Sequence, residues 1–242
     1  QSSMMTSVSI GLGKARQLDS ISITWPDGKE ISMQNVKAGA ILEPSWKESS
    51  TLPKPSKTNA NPYFTGNTLI SWRQQPEEVN DFKRQLLLPR MYSYSGPRIA
   101  KGDANGDGLE DLFICGTKGQ AGTLLFQQKG GSFKAVANSS FALDRESQDE
   151  HATFFDADGD SDLDLYVVSG GYLFEYGDPG LQDRLYLNDG KGNFAKISNA
   201  IPEEYEAGSV VTVIDIDDDK DNDLFVGGRI TPGQYPVNPK SL

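Results

Sequence analysis

The chain is poor in the residues that several kinds of chemistry require. It has one cysteine and one histidine in 242 residues. Cys115 has no partner for an internal disulfide, so a cystine-stapled framework is excluded. Its place behind Ile114 in an apolar run marks it as a buried, inert thiol. His151 opens a strand-like run and reads as a hydrogen-bonded structural residue. No Ser-His-Asp order, Gly-x-Ser-x-Gly elbow or His-Glu-x-x-His motif surrounds it. No apolar stretch approaches the ~18 residues of a membrane span. Lysine and arginine number 23 against 34 acids and form no basic stripe, which argues against nucleic acid as a partner. No signal-peptide pattern opens the chain. Gln1-Ser2-Ser3-Met4-Met5 begins abruptly, as expected of a piece cut from a longer polypeptide.

What the chain does have is acid in three places. The formal charge is −11, and fifteen of the 34 acids fall within three nine-residue stretches. These are Asp103 to Asp111, Asp156 to Asp164 and Asp215 to Asp223. Each holds Asp or Asn at its first, third and fifth positions and Asp at its ninth. Each runs directly into a short apolar segment: Leu112-Phe113-Ile114, Leu165-Tyr166-Val167 or Leu224-Phe225-Val226.

Carboxylates crowded at every second residue repel one another unless a cation supplies charge. Calcium takes about six to eight oxygens in irregular geometry, whereas magnesium prefers a strict octahedron with retained waters. The candidate ligands are Asp103, Asn105, Asp107, the Leu109 backbone and Asp111 in the first loop. In the second they are Asp156, Asp158, Asp160, Asp162 and Asp164, and in the third Asp215, Asp217, Asp219, Asp221 and Asp223. Up to three Ca²⁺ ions are therefore expected. Asn105 removes one ligand charge from the first loop. Ser161 and Lys220 take the sixth position, where a small residue eases the turn. An EF-hand is excluded, because position twelve would need a bidentate Glu and is Ile114, Val167 or Val226, and because the flanks read as strands rather than helices. Thrombospondin-type repeats are excluded by the single cysteine.

Twenty-five glycines and thirteen prolines suit an all-β chain with many turns. In residues 1–46, Ser7-Val8-Ser9-Ile10 reads as a strand. Ile21, Ile23 and Trp25 alternate with polar residues, Pro26-Asp27-Gly28 turns, and Ile31 and Met33 resume the alternation. Ile41-Leu42 reads as one more short strand. Residues 47–97 are expected to be a linker and a strap. Pro53, Pro55 and Pro62 lie in the linker, and an irregular strap is preferred over a helix spanning Glu77 to Leu88. From Arg98 the chain repeats, with loop starts 53 and 59 residues apart. Each unit reads strand, acidic loop, strand, strand, turn, strand, which is a four-stranded propeller blade. The expected blades are 98–150, 151–208 and an incomplete 209–242, or about two and a half blades. That is too few to close a ring of about four to eight.

The Asp-x-Asp-x-Asp-Gly-x-x-Asp pattern before an apolar strand resembles FG-GAP repeats, also called VCBS or integrin-α-like repeats, throughout residues 98–242. Ile10-Gly11-Leu12-Gly13 with Ile23-Thr24-Trp25-Pro26-Asp27-Gly28 is similar to the end of an ASPIC and UnbV domain. The resemblance implies a partial, integrin-like β-propeller, seven-bladed in the full protein, with calcium in the loops and its remaining blades outside this chain. It also implies a large secreted or surface-attached bacterial protein, hence an extracellular, cell-surface or periplasmic location. The function this implies is a calcium-stiffened, non-catalytic module for recognising a protein or glycan. A calcium-assisted polysaccharide lyase or hydrolase and a purely architectural spacer are the alternatives. The aromatic insertion after the second unit's second strand, with Tyr172, Phe174 and Tyr176, is a candidate carbohydrate platform, set against the plainer reading that these rings are packing.

Overall fold

The computed structural model describes residues 8–51, 70–75, 79–94 and 96–242. The chain divides into two compact units, Gln1–Gly66 and Asn67–Leu242.

In the first unit the alternating segments form a hairpin, β1 (Gln17–Thr24) and β2 (Lys29–Lys37), with Ile21 opposite Met33 and Ile23 opposite Ile31. The turn closes with Trp25 N–H donating to the Lys29 carbonyl at 2.8 Å. A third strand, β3 (Ser50–Thr51), pairs with Lys29 and Glu30 and carries the sheet past residue 46. Two expected strands do not form. The described residues of Ser7–Ile10 and the pair Ile41-Leu42 adopt no strand, and Ile41 is 91% exposed. Neither segment meets a sheet edge, and a strand without a partner leaves its backbone groups to water. No described side chain of this unit is buried, as expected where so few residues must form a core.

The second unit opens with the strap. Among its described residues only one helical turn, α1 (Asp81–Arg84), is regular. Its cap is Asn80, whose side chain accepts from Phe82 N–H at 3.1 Å. The fully buried Asp81 accepts the backbone N–H groups of Tyr92 and Ser93, at 2.5 and 2.9 Å, and holds the strap in its bend.

Blade one follows as β4 (Ile99–Gly102), β5 (Asp111–Ile114), β6 (Thr123–Gln127) and β7 (Phe133–Val136), antiparallel and in chain order across the sheet. A short helix, α2 (Ser139–Leu143), leads to blade two. That blade is β8 (Asp149–Phe155), β9 (Asp164–Ser169), β10 (Arg184–Leu187) and β11 (Ala195–Lys196). Blade three has two strands, β12 (Gly208–Ile214) and β13 (Asp223–Gly228). β8 and β12 each carry a bulge at the same place, between Asp149 and His151 and between Gly208 and Val210. The unit is thus an all-β partial propeller.

Apolar side chains of successive blades form the core. Phe113, Cys115 and Leu124 of blade one pack with Ala152, Leu165, Val167, Tyr186 and Phe194 of blade two. Phe141 of α2 is wedged there, its ring edge-on to Phe113 and Tyr186 at centroid distances of 5.1 and 5.0 Å. On the other face of blade two, Phe155, Tyr166 and Val168 pack with Val211 and Val226 of blade three. Cys115 is buried and its thiol pushed well up by loss of solvent. No described helix is long and apolar enough to cross a membrane.

Candidate metal centres on the blade loops

Each acidic stretch is the connection from the first to the second strand of a blade. Its sharp bend needs left-handed backbone at positions four and six. These positions are Gly106 and Gly108 in loop one, Gly159 and Ser161 in loop two, and Asp218 and Lys220 in loop three, all with φ between 61° and 83°. The conformation costs glycine little and other residues more, so the loops are graded in strain from first to third. The demand at position six was visible in the sequence. The one at position four was not, because glycine fills it in two loops and Asp218 in the third looks like one more acid.

The carboxylates hold the bend from inside. Position one accepts two amides of its own loop. Asp103 takes Asp107 and Gly108 N–H (3.1 and 2.8 Å), Asp156 takes Gly159 and Ser161 N–H (2.7 and 3.0 Å), and Asp215 takes Asp219 and Lys220 N–H (3.2 and 3.1 Å). Position five accepts the amide of position seven in all three loops: Leu109 to Asp107, Asp162 to Asp160 and Asp221 to Asp219, at 2.9, 3.0 and 3.1 Å.

The ninth position reaches across the loop to the amide of position two. Ala104 donates to Asp111, Ala157 to Asp164 and Ile216 to Asp223, at 3.1, 2.8 and 2.9 Å. In the complete blades its other oxygen accepts a backbone N–H at the end of the third strand, Gln127 to Asp111 and Asn188 to Asp164, each at 2.8 Å. Asp111 and Asp164 are buried, and burial pushes both carboxyls above their usual range against the pull of those amides.

These turns bring carboxylate oxygens together in two of the three loops. One oxygen each from Asp156, Asp158 and Asp164 lie within 4.8 Å of one another, and so do those of Asp215, Asp217 and Asp223. That spacing and an all-oxygen donor set fit a hard divalent cation. Asp162 adds to the second loop. Its Oδ1 is buried and finds no hydrogen-bond partner among the described residues. Burial, then the neighbouring Asp160 and Asp164, push its carboxyl up. Asp160, Asp219 and Asp221 stand outside the two converging groups, with Asp160 and Asp219 engaged by loop amides. Loop one gathers no group of three acids, because Asn105 holds the third position and its Oδ1 accepts Asp107 N–H at 2.9 Å.

The aromatic insertion is mostly core. Tyr172 and Phe174 are buried, and only Tyr176, half exposed, faces solvent. The Tyr172 hydroxyl donates to Gln85 of the strap at 2.6 Å, and Arg84 donates to the carbonyls of Tyr172 and Phe174 at 2.7 and 2.8 Å. This corrects the platform expectation for two of its three rings: strap residues Arg84 and Leu88 pack on Tyr172, and Leu181 and Ala207 pack on Phe174. His151 sits in the seam of blades two and three, its Nδ1 accepting Val211 N–H at 3.4 Å. Burial, and Arg98 nearby, hold its imidazole below the usual range.

Sequence reasoning missed a buried polar network at the end of blade two away from its acidic loop, where Asp149 pairs with Ser169. Arg184 pairs with Asp149, whose other oxygen accepts Gly116 N–H at 2.6 Å, and Arg184 also donates to Ser169 at 3.1 Å. Asp183 accepts Ser169 N–H at 2.7 Å and the Tyr166 hydroxyl at 2.9 Å. Burial pushes its carboxyl up to about 6. The only signal in sequence was an Arg at the head of an apolar strand.

Residues 103–167, which span the first two loops, match the FG-GAP-like repeat family. Residues 1–51 match the ASPIC and UnbV family. No curated protein matches the chain.

Proposed function

Proceeding from an FG-GAP-like repeat on a partial propeller, we propose that this chain is a calcium-binding recognition module in which the metal is structural. The convergence of Asp156, Asp158 and Asp164 within 4.8 Å, repeated by Asp215, Asp217 and Asp223, carries this reading. A bound Ca²⁺ would draw the ligands of each bend together and offset their repulsion. Loops two and three are the stronger sites, and loop one, with Asn105, the weaker.

The likeness to FG-GAP-like repeats supports an extracellular, cell-surface or periplasmic setting, where calcium near millimolar would fill even loose sites with dissociation constants of about 10⁻⁴–10⁻³ M. The partner is a protein or a glycan, bound by the blade surfaces rather than by a stacked-ring platform. The enzyme alternative loses its best candidate in His151, whose Nδ1 is engaged by a backbone amide in a blade seam.

Calorimetric titration with calcium, beside thermal melts in calcium and in EDTA, tests the proposal. Heat of binding at two sites or more is expected, with a higher Tm in calcium through preferential binding to the folded loops. Asp158→Ala should remove one site. Absence of calcium uptake in the unsubstituted chain would sink the reading.

A further inference from the structure

Loop one differs from the other two in reactivity as well as in charge. Its third position is Asn105, and the next residue is Gly106. No other asparagine in the chain is followed by glycine. Asparagine is a thermolabile residue, because the backbone nitrogen that follows it can attack its side-chain carbonyl. A side chain on the following residue crowds that ring closure, and glycine has none.

The fold leaves each participating group open. Both Asp103 oxygens are taken up by the Asp107 and Gly108 N–H groups. Among the described residues nothing accepts the Gly106 N–H. Its counterpart in loop two, the Gly159 N–H, is held by Asp156 at 2.7 Å. Asn105 Oδ1 accepts Asp107 N–H at 2.9 Å, which polarises the side-chain carbonyl and closes a ring around the Gly106 peptide. Asn105 Nδ2 donates to no described residue. By contrast, the side-chain amides of Asn138, Asn188, Asn193 and Asn222 donate to oxygens at 2.8 to 3.0 Å. Asn105 is half-buried and Gly106 exposed, so water reaches the site.

We propose that Asn105 is a site of spontaneous deamidation, and that its aspartate product gives loop one the third-position carboxylate that Asp158 and Asp217 supply in loops two and three. The Gly106 nitrogen loses its proton and bonds to Asn105 Cγ. The Cγ–Nδ2 bond breaks, and Nδ2 takes up one proton and leaves as ammonia. One water then opens the cyclic imide. Entry at Cγ restores the Gly106 N–H and leaves an aspartate. Entry at the Asn105 backbone carbonyl leaves an isoaspartate, which reroutes the main chain. The first product adds one negative charge to the loop. This recharging rests on the calcium reading of the loops, whereas the deamidation does not.

For the test the full chain is held in EDTA at neutral pH, digested with trypsin and followed by mass spectrometry. The peptide 102–118 carries no side-chain amide besides that of Asn105, so conversion of amide to acid within it has one source. Conversion there is expected to run at least about tenfold faster than at Asn138, Asn188 or Asn193. A rate no faster than theirs overturns the modification site. The folded chain is also expected to convert within about tenfold of the free synthetic peptide 102–118. Stronger protection would show that the loop closes the reaction off, and overturns the proposal. Asn105→Asp then stands for the aspartate product. Its calorimetric titration should show one calcium site added, or one tightened about tenfold, relative to the unsubstituted chain. An unchanged titration in a chain that does bind calcium overturns the recharging alone. No uptake by either chain overturns the calcium reading and the recharging with it, while the mass measurement still decides the deamidation.

Discussion

Blades two and three carry the same loop and the same strand pattern, yet they are buried very differently. All six residues of β9 are buried, whereas in β13 only Val226 is. At matching positions, Phe155 and Tyr166 of blade two are 8% and 5% exposed, while Ile214 and Phe225 of blade three are 46% and 48% exposed. Among the described residues blade two has a blade on each side, and blade three has one. In repeat proteins each unit's burial is conferred by its neighbours, so the repeat encodes a blade whose two faces are both fit to be covered.

The ninth-position aspartate gives the sharpest contrast. Asp164 accepts two backbone amides inside the protein and Asp223 accepts one at a half-buried position. In EDTA, Asp164→Ala should therefore cost about 2–4 kcal/mol, since it strands two amides, and Asp223→Ala about 1 kcal/mol. Urea denaturation measures both. Equal losses would break the comparison.

A second contrast is charge. Asp183 of blade two and Ser241 of blade three accept equivalent amides, but only the first titrates. Its carboxyl is raised by burial to about 6, from an ordinary value near 4. The folded protein therefore favours the protonated form. The associated stability is fully present below pH ~4 and lost as pH rises through about 6, on the order of 2–3 kcal/mol at most. Asp183→Asn should flatten the pH dependence of stability between pH ~4 and ~6. An unchanged slope would assign that titration elsewhere.

The smallest effect lies in the loops themselves. Lys220 has φ 77° and Gly108, at the same position of loop one, 83°. Lys220→Gly should raise stability by about 1 kcal/mol, seen as a higher Tm, whereas Gly108→Ala should lower it by a similar amount.

Much of this was legible in the residues. The three loops, their flanking strands and the blade order could be read because acid spacing and apolar runs are local signals. Phe126 to Phe133 and Leu187 to Phe194 marked matching hairpins for the same reason. The strands expected near Ile10 and Ile41 were misread because alternation states which side chains share a face, not whether an edge awaits them. Tyr172 and Phe174 could be a platform or packing by composition alone. Arg84 and Gln85 decide it for Tyr172, from nearly ninety residues away in sequence, and Leu181 and Ala207 decide it for Phe174.

By itself the sequence determined where oxygen donors are concentrated and where short strands lie, since both follow from neighbours along the chain. Only the tertiary structure decided which carboxylates converge, which are taken up by backbone amides, and that the ninth-position aspartate faces a loop and a strand at once. Those outcomes depend on strands brought together across the sheet, and hydrogen-bond geometry between distant segments leaves no periodic trace in the residues that make it.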